Sequence, residues 1–281
     1  MMDLYTQTSI DCSELITKRY STSFSLGILM LGKEIRKDIY AIYGFVRLAD
    51  EIVDSYSHKN PATQLQLLRE ETFRAIECQI SFNPILHAFQ HTVNQQKIDL
   101  VYVEAFFESM AMDLQKQDYD RSLYEKYIYG SAEVVGLMCL KVFCQRDENL
   151  FQRLVEPARK LGSAFQKVNF LRDIKGDLED RKRIYFPGLD VDNFLESDKI
   201  QIEQEIAEEF AEALKGIRQL PQNSRRGVLL AYRYYQGLLQ KIQKAKPQQL
   251  LTQRVRISNF HKLRLFIGNM LTVNSFSVQN G

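Results

Sequence analysis

The stretch "IYAIYGFVRLADEIVD", from Ile39 to Asp54, places a narrow charged stripe on an otherwise apolar helix. On a wheel of about 100° per residue with Arg47 at zero, Asp50 falls near −60°, Glu51 near +40° and Asp54 near −20°. A surface helix normally carries a wide polar face, so a stripe this narrow is expected to face an internal cleft. Like charges one turn apart repel, and a cation is expected to compensate them. On this motif alone, a solvated acidic face with an incidental arginine is the stronger alternative.

A second stripe of the same kind lies in "LGSAFQKVNFLRDIKGDLED", from Leu161 to Asp180. With Asn169 at zero, Asp173 falls near 40°, Gln166 near 60° and Asp177 near 80°, so their oxygens line one side of two turns. Amide and carboxylate oxygens are hard ligands that suit magnesium better than zinc or iron. Magnesium also prefers few protein ligands together with substrate phosphates. Two such stripes facing each other across an apolar bundle would suit a diphosphate held through bridging magnesium ions.

The composition indicates one all-α domain spanning residues 1–281. Hydrophobic residues make up 45% and charged residues 26% of the chain, which is typical of a soluble globular protein with a substantial core. Only 13 Gly and 6 Pro argue against a loop-rich β protein. A helical period recurs almost throughout. It predicts helices at Ser13–Tyr20, Lys33–Ser57, Ala62–Cys78, Pro84–Asn94, Leu100–Lys116, Leu123–Phe143, Asp147–Asp180, Asp198–Gln219, Arg225–Lys244 and Arg256–Leu271.

Several classes of protein are disfavoured by the sequence. The net charge of +2 is too small to indicate a nucleic-acid partner. The four cysteines form no C-x-x-C pair, so we expect reduced thiols in a cytoplasmic protein, with neither a disulfide framework nor a cysteine metal site. We expect no signal peptide, and no uninterrupted apolar run reaches the roughly 18 residues of a membrane span. The basic stretch Arg254–Leu265 is equally compatible with a solvated helix face and an anion site.

The two stripes and their context resemble the squalene/phytoene synthase family of head-to-head prenyl synthases, and most of all its bacterial phytoene synthases. The match is carried by "RLADEIVD" (47–54) and by "QKVNFLRDIKGDLEDRKRIYFP" (166–187). "YSTSFSLG" (20–27), "MAMDL" (110–114) and "YIYGSAEVVGLM" (127–138) resemble further family segments. The similarity covers roughly residues 12 to 265. Tyr20 departs from the pattern, because some relatives carry histidine at that position.

The resemblance implies an isoprenoid-synthase helical bundle around a central apolar cavity, and it implies roles for particular side chains. Magnesium, with Mn²⁺ as an alternative, would be bound by Asp50, Glu51, Asp54, Asp173 and Asp177. Diphosphate would be contacted by Arg47, Arg172 and Arg183, and the reacting groups by Tyr129 and Tyr185. Further substrate contacts would come from Ser21, Ser23, Phe24, Gln166, Asn169, Tyr235 and Arg254.

The resemblance also implies a reaction. Two molecules of geranylgeranyl diphosphate would condense head to head to a cyclopropyl diphosphate, which then ionises, rearranges and loses a proton to give phytoene. NADPH is not expected for this product. A squalene or dehydrosqualene synthase acting on two farnesyl diphosphates is the alternative. Because substrate and product are lipids, transient contact with the inner face of a membrane is compatible with a cytoplasmic enzyme, while the oligomeric state is open.

Two other classes compete with this interpretation. A di-metal oxygen-activating bundle would use Glu-x-x-His pairs, but none of the four histidines, His58, His87, His91 and His261, has Glu three residues before it. A non-enzymatic helical interaction protein would retain its function after Asp50→Ala with Asp173→Ala.

Overall fold

The structure, a computed structural model, describes residues 2–55, 60–115, 119–181 and 183–256. Within these ranges all regular secondary structure is helical, as the sequence predicts. A π-helical turn, Tyr129–Glu133, lies between α7 and α8. The α-helices are α1 Leu4–Tyr20, α2 Thr22–Leu29, α3 Lys33–Ser55, α4 Pro61–Cys78, α5 Pro84–Gln96, α6 Leu100–Met112, α7 Arg121–Ile128, α8 Val134–Cys144, α9 Glu148–Arg181, α10 Glu196–Ile217, α11 Gln222–Gln243 and α12 Pro247–Thr252.

The main differences from the predicted helices are an earlier start of α1 and two short helices, α2 and α12, that were not predicted. Helix α1 starts well before Ser13, because Asp3 caps it by accepting a hydrogen bond from the Thr6 N–H (2.9 Å). Helix α2 was not predicted, and it begins where the Ser21 hydroxyl accepts the Phe24 N–H (3.2 Å). The predicted helix from 256 to 271 lies outside the described residues apart from Arg256, as do residues 56 and 57 of the predicted 33–57 helix.

Two large hydrophobic clusters hold most of the helices together, and a small third cluster of Ile10, Ala41 and Ala88 joins α1 to α3 and α5. The first joins α3, α5, α6 and α8, where the Phe45 and Phe89 rings stack with centroids 3.8 Å apart. The second joins α9, α10 and α11 around residues such as Leu171, Ile206 and Leu238. Burial of apolar surface in these clusters is the main favourable term in folding. Helix α9 contributes Phe151 and Leu154 near its start to the first cluster, and Leu171 and Ile174 beside its stripe to the second. The stripe of α3 lies beside the first cluster and the stripe of α9 beside the second, so both stripes border the space between the clusters.

A buried ion pair sets the orientation of α9. Lys167, only 3% exposed, donates to Glu209 (2.8 Å) and Glu205 (2.6 Å) on α10. Lys167 lies about 200° around the helix from Asn169. Fixing Lys167 against α10 therefore turns the second stripe toward the opposite side, where α11 and the interior lie.

The π-helical turn interrupts the helix predicted at Leu123–Phe143. At Gly130 this turn approaches α6 so closely that an added Cβ would lie 2.3 Å from the Ala105 carbonyl oxygen. In the described part of the chain, one helical run, Arg121–Cys144, is long and apolar enough to cross a membrane if up to two charges are tolerated. The buried core helix of a soluble protein passes the same test, and 56% of this window is buried inside the fold.

Candidate active site

A cavity of about 670 Å³ lies between the two clusters. It is within the range of about 300–1,000 Å³ that is usual for small-molecule sites. Helices α2, α3, α8, α9, α10 and α11 contribute to its wall, together with the π-helical turn. Most of the wall is apolar, including Leu26, Ile39, Ile42, Val46, Val135, Leu140, Phe143, Leu161, Phe165 and Val228.

The first stripe reaches this cavity from α3. Arg47, Asp50 and Asp54 line it, and the Arg47 guanidinium lies 2.5 Å from the Glu51 carboxylate and 3.9 Å from Asp50. Burial alone would lower the pKa of Arg47, but the hydrogen bond to Glu51 and the nearby carboxylates raise it overall. The guanidinium also lies 4.4 Å from the centroid of the Tyr20 ring. Arg47 therefore stays charged and partly neutralises the neighbouring carboxylates.

The second stripe reaches the same cavity from α9. Gln166, Asn169 and Arg172 line it, and Asn169 accepts a hydrogen bond from the Tyr235 hydroxyl (3.3 Å) on α11. The amide of Asn169 is thereby oriented by a neighbouring helix. Tyr235 is itself held by stacking on Phe165, with the ring centroids 3.9 Å apart.

Asp173, one turn further along α9, is surrounded by arginines. It accepts from Arg172 Nε (3.0 Å) and lies 2.6 Å from Arg254, which also lines the cavity. Burial alone would lower the pKa of Arg172, but its bond to Asp173 raises it. Neither Asp173 nor Asp177 is among the residues that form the cavity wall. Asp177 lies one turn beyond Asp173, where its backbone carbonyl accepts the Arg183 N–H (3.0 Å).

The predicted substrate contacts on α2 also lie at the cavity. Ser21, Ser23 and Phe24 line it near the acidic stripe of α3. The Phe24 ring packs against Tyr43, with centroids 5.2 Å apart, and is 39% exposed. These residues therefore lie where the cavity approaches solvent.

Besides Asp173 and Asp177, four predicted residues are not among those that form the cavity wall: Glu51, Tyr129, Arg183 and Tyr185. Tyr129 sits at the start of the π-helical turn, with the Arg159 guanidinium 5.4 Å from its ring centroid. Arg183 and Tyr185 are buried beside Asp113, which accepts from both side chains (2.6 and 3.0 Å). The structure thus groups Arg183 with Tyr185 but places Tyr129 elsewhere.

Sequence reasoning did not single out three residues that line the cavity, Asp113, Tyr127 and Tyr43. Asp113 and Tyr127 line the cavity, and the Tyr127 hydroxyl donates to Asp113 (2.7 Å). The sequence feature that could have indicated Asp113 is an aspartate placed directly after an apolar helix in "MAMDL". Tyr43 also lines the cavity, and burial raises the pKa of its phenol.

The oxygen donors of both stripes fit magnesium by their chemistry. Within the described ranges, no three His, Cys, Asp or Glu side chains are grouped closely enough to form a complete protein ligand set. Magnesium usually keeps several waters and takes one or two carboxylates together with substrate phosphates, so it needs no such set. Carboxylate oxygens suit magnesium, and the guanidinium groups of the neighbouring arginines match phosphate oxygens, so the residues present are chemically compatible with both.

Similarity to known proteins extends over most of the chain. Residues 17–261 match the model of the squalene/phytoene synthase family. The chain is 31% identical over 272 residues to a chloroplastic phytoene synthase from an Oncidium hybrid cultivar, with 88% of this chain and 64% of that protein covered. It is also 31% identical to phytoene synthase 2, chloroplastic, of Solanum lycopersicum, with 90% and 86% covered. The chain spans less than two thirds of the length of several relatives it matches.

Solved structures share the fold. A dehydrosqualene synthase in complex with a ligand superposes with a TM-score of 0.82 at 22% identity, with 96% of this chain and 98% of that one covered. A squalene synthase from Alicyclobacillus acidocaldarius gives a TM-score of 0.75 at 20% identity, with 86% and 96% covered. These likenesses confirm the all-α isoprenoid-synthase fold that the sequence predicts.

Proposed function

The chain belongs to the squalene/phytoene synthase family, and from this premise we propose that it is a phytoene synthase. It would condense two geranylgeranyl diphosphates head to head, through a cyclopropyl diphosphate, to phytoene, a step in carotenoid biosynthesis. The relatives named as phytoene synthases, at 28–31% identity over most of this chain, support this choice. Family membership gives no support to a di-metal oxidase or a non-enzymatic bundle.

One observation carries the proposal. Polar residues from α3 and α9, including Asp50, Asp54, Asn169 and Arg172, line one cavity whose remaining wall is largely apolar. A prenyl diphosphate has the same division into an anionic head and a long hydrocarbon tail. Two such substrates need their heads near the polar residues and their tails along the apolar wall, which excludes water.

The arginines would bind and orient the diphosphate. Arg47, Arg172 and Arg254 line the cavity, and their planar guanidinium groups match phosphate oxygens in pairs. In the free protein the three arginines are held by Glu51 and Asp173. The carboxylates would therefore orient these arginine side chains before diphosphate binds, and the bound diphosphate would share the arginines with the carboxylates.

Asp50, Glu51, Asp54, Asp173 and Asp177 would hold Mg²⁺, or Mn²⁺ in its place. When bound, the metal supplies Lewis-acid stabilisation of the charge that develops on the departing diphosphate. Asn169 would add a neutral oxygen whose direction is set by Tyr235. Gln166 would act beside it on the same face of α9.

The remaining proposed residues would shape the reaction space. Ser21, Ser23 and Phe24 would contact the substrate at the end of the cavity near α3. Aromatic faces stabilise nearby cations, a role open to Phe24 and Tyr235. Tyr129 would act indirectly, through the π-helical turn that places Ser131 and Ala132 in the cavity wall. Arg183 and Tyr185 would also act indirectly, through their contacts with Asp113 and Tyr127, which line the cavity.

The test is product identification. The purified full chain is incubated with Mg²⁺ and either geranylgeranyl or farnesyl diphosphate, with and without NADPH, and the lipids are identified by mass spectrometry. Phytoene formed without NADPH is expected. Squalene formed only with NADPH, or dehydrosqualene from farnesyl diphosphate, would replace the proposed substrate while keeping the family. Absence of any condensed product would refute the activity.

We propose the simplest organisation and location compatible with these features. Residues 1–281 would form one domain that works in the cytoplasm and touches the inner membrane face transiently to exchange lipids. The named plant relatives are chloroplastic, so fractionation of the source cells, with the chain followed by antibody, decides between the two compartments.

A further inference from the structure

A buried polar network lies where α6 ends beside the cavity. Asp113 follows the last residue of α6, and its side chain is 7% exposed. One carboxylate oxygen accepts from Arg183 Nη1 (2.6 Å) and from the Tyr185 hydroxyl (3.0 Å). The other accepts from the Tyr127 hydroxyl (2.7 Å). A single carboxylate therefore connects three side chains that come from two distant parts of the chain.

The donors of Arg183 are almost fully used inside the protein. Besides Asp113, its Nη1 donates to the Tyr185 oxygen (3.2 Å). Its Nη2 donates to the backbone carbonyls of Asp113 (3.0 Å) and Gln115 (2.9 Å). Four of the roughly five N–H groups of a guanidinium are thereby occupied. Arg183 thus acts as a clamp, binding the side chain and backbone at the end of α6, and few of its donors remain available to bind an anion.

The clamp is connected to the second acidic stripe. The Arg183 N–H donates to the Asp177 carbonyl (3.0 Å), which fixes the chain as it leaves α9. Tyr185 stacks on Phe170 of α9, with centroids 4.2 Å apart and ring planes 10° from parallel. The position of the end of α9 relative to α6 therefore depends on the groups that Asp113 holds.

The same network reaches the cavity. Asp113 and Tyr127 both line its wall, and burial raises the pKa of Tyr127, so the phenol keeps its proton and remains a donor. The Tyr127 and Tyr185 rings are 5.0 Å apart. A substitution at Asp113 would therefore change the positions of side chains both in the cavity wall and at the end of α9 that carries the acidic stripe.

We propose that Asp113 is a positioning residue: it holds Arg183, Tyr127 and Tyr185 in one arrangement and thereby fixes the end of α9 that carries Asp173 and Asp177. The inference rests on the proposed function, because it assigns those two aspartates to a metal-bound diphosphate. Outer partners of metal ligands typically matter about 10- to 100-fold for affinity or activity.

The direction of the effect separates this role from simple electrostatics. Asp113→Asn removes a negative charge near an anion site, so a through-space effect would tighten diphosphate binding. A loss of positioning would weaken it. Calorimetry with Mg²⁺ and inorganic diphosphate on the full chain measures this binding without any prenyl substrate, and we expect the Asp113→Asn variant to bind about 10- to 100-fold more weakly. Unchanged or tighter binding would overturn the proposal.

Asp38→Asn is the matched control. Asp38 is 1% exposed and accepts hydrogen bonds from Thr92 and Gln96, and none of these three residues lines the cavity. The same chemical change at Asp38 should therefore leave diphosphate binding as in the wild type. Equal weakening in both variants would show a general structural effect and overturn the inference.

A second variant covers the case in which Asp113→Asn does not fold. Arg183→Lys keeps the positive charge beside Asp113 but loses the planar fork that reaches both backbone carbonyls. It should retain the fold, by circular dichroism, and show the same weakening. Wild-type binding by the folded Arg183→Lys protein would contradict the proposal. A wild-type enzyme that binds Mg²⁺-diphosphate but makes no phytoene would refute only the proposed function.

Discussion

The close approach between the π-helical turn and α6 makes Gly130→Ala the sharpest test of the packing. A Cβ at residue 130 would lie 2.3 Å from the Ala105 carbonyl oxygen and 2.7 Å from the Ser109 Cβ. The carbonyl belongs to the backbone of α6 and cannot rotate away as a flexible side chain would. One of the two segments must therefore move.

The magnitude follows from two opposing terms. Overpacking in a close-packed interior costs about 1–3 kcal/mol, and a rigid backbone contact belongs at the upper end. Replacing glycine by alanine inside a helix returns up to about 1 kcal/mol. The free energy of unfolding should therefore fall by about 2 kcal/mol, which corresponds to a drop in Tm of about 4–8 °C for a chain of this size class.

Thermal and urea unfolding followed by circular dichroism measure this change. Gly27→Ala is the control, because its Cβ would lie at an ordinary 3.7 Å from the Gly227 carbonyl oxygen, and its Tm should match or exceed that of the wild type. A Gly130→Ala protein as stable as the wild type would show that the turn does not approach α6 as described. The same variant should lose activity, because the displaced turn carries Ser131 and Ala132 of the cavity wall.

Three further outcomes are expected. Asp173→Asn should lower kcat/KM by at least about 100-fold, or about 2.7 kcal/mol, since Asp173 orders two cavity arginines and is a proposed metal ligand; steady-state kinetics would contradict this with a loss below tenfold. At pH 8 an alkylating reagent should modify exposed Cys78 quickly and Cys144 only after unfolding, because Cys144 is buried and its burial raises the pKa of the thiol to about 11; equal labelling of the two cysteines by peptide mass spectrometry would refute the burial of Cys144. Burial raises the pKa of Asp38 above its ordinary value of 3.8, because the folded state disfavours the charged carboxylate. The contribution of Asp38 to the free energy of unfolding of the wild type therefore decreases as the pH rises from 3.8 through the raised pKa. The Asp38→Asn variant should therefore be more stable than the wild type at pH 7 and no more stable near pH 3.5. If urea unfolding shows a stability difference between the two proteins that does not change with pH, the raised pKa of Asp38 is wrong.

The sequence alone was sufficient for the helical class and for the two polar stripes. Helix geometry is local, so the spacing of Arg47, Asp50 and Asp54 determines which of them share a face before any packing is known. The same holds for Asn169 and Asp173. The prediction that both stripes face one interior space follows from their apolar surroundings, and the cavity lined by α3 and α9 agrees with it.

Other features depend on contacts between distant parts of the chain. Helix α2 has only eight residues, too few for a reliable period, and it is recognised by its Ser21 cap and its packing on α11. The π-helical turn depends on α6, since the missing Cβ of Gly130 matters only where another backbone comes close.

The clearest case is Asp113, which meets Arg183 across 70 positions of sequence. Nothing in the spacing within either segment records that distance, because it is set by how α6 and the chain after α9 pack together. The sequence by itself determined which residues share a helix face, since that depends on the repeat of a single helix. Only the tertiary structure decided which faces and side chains from separate helices meet, since that depends on how all of the helices fill the interior at once.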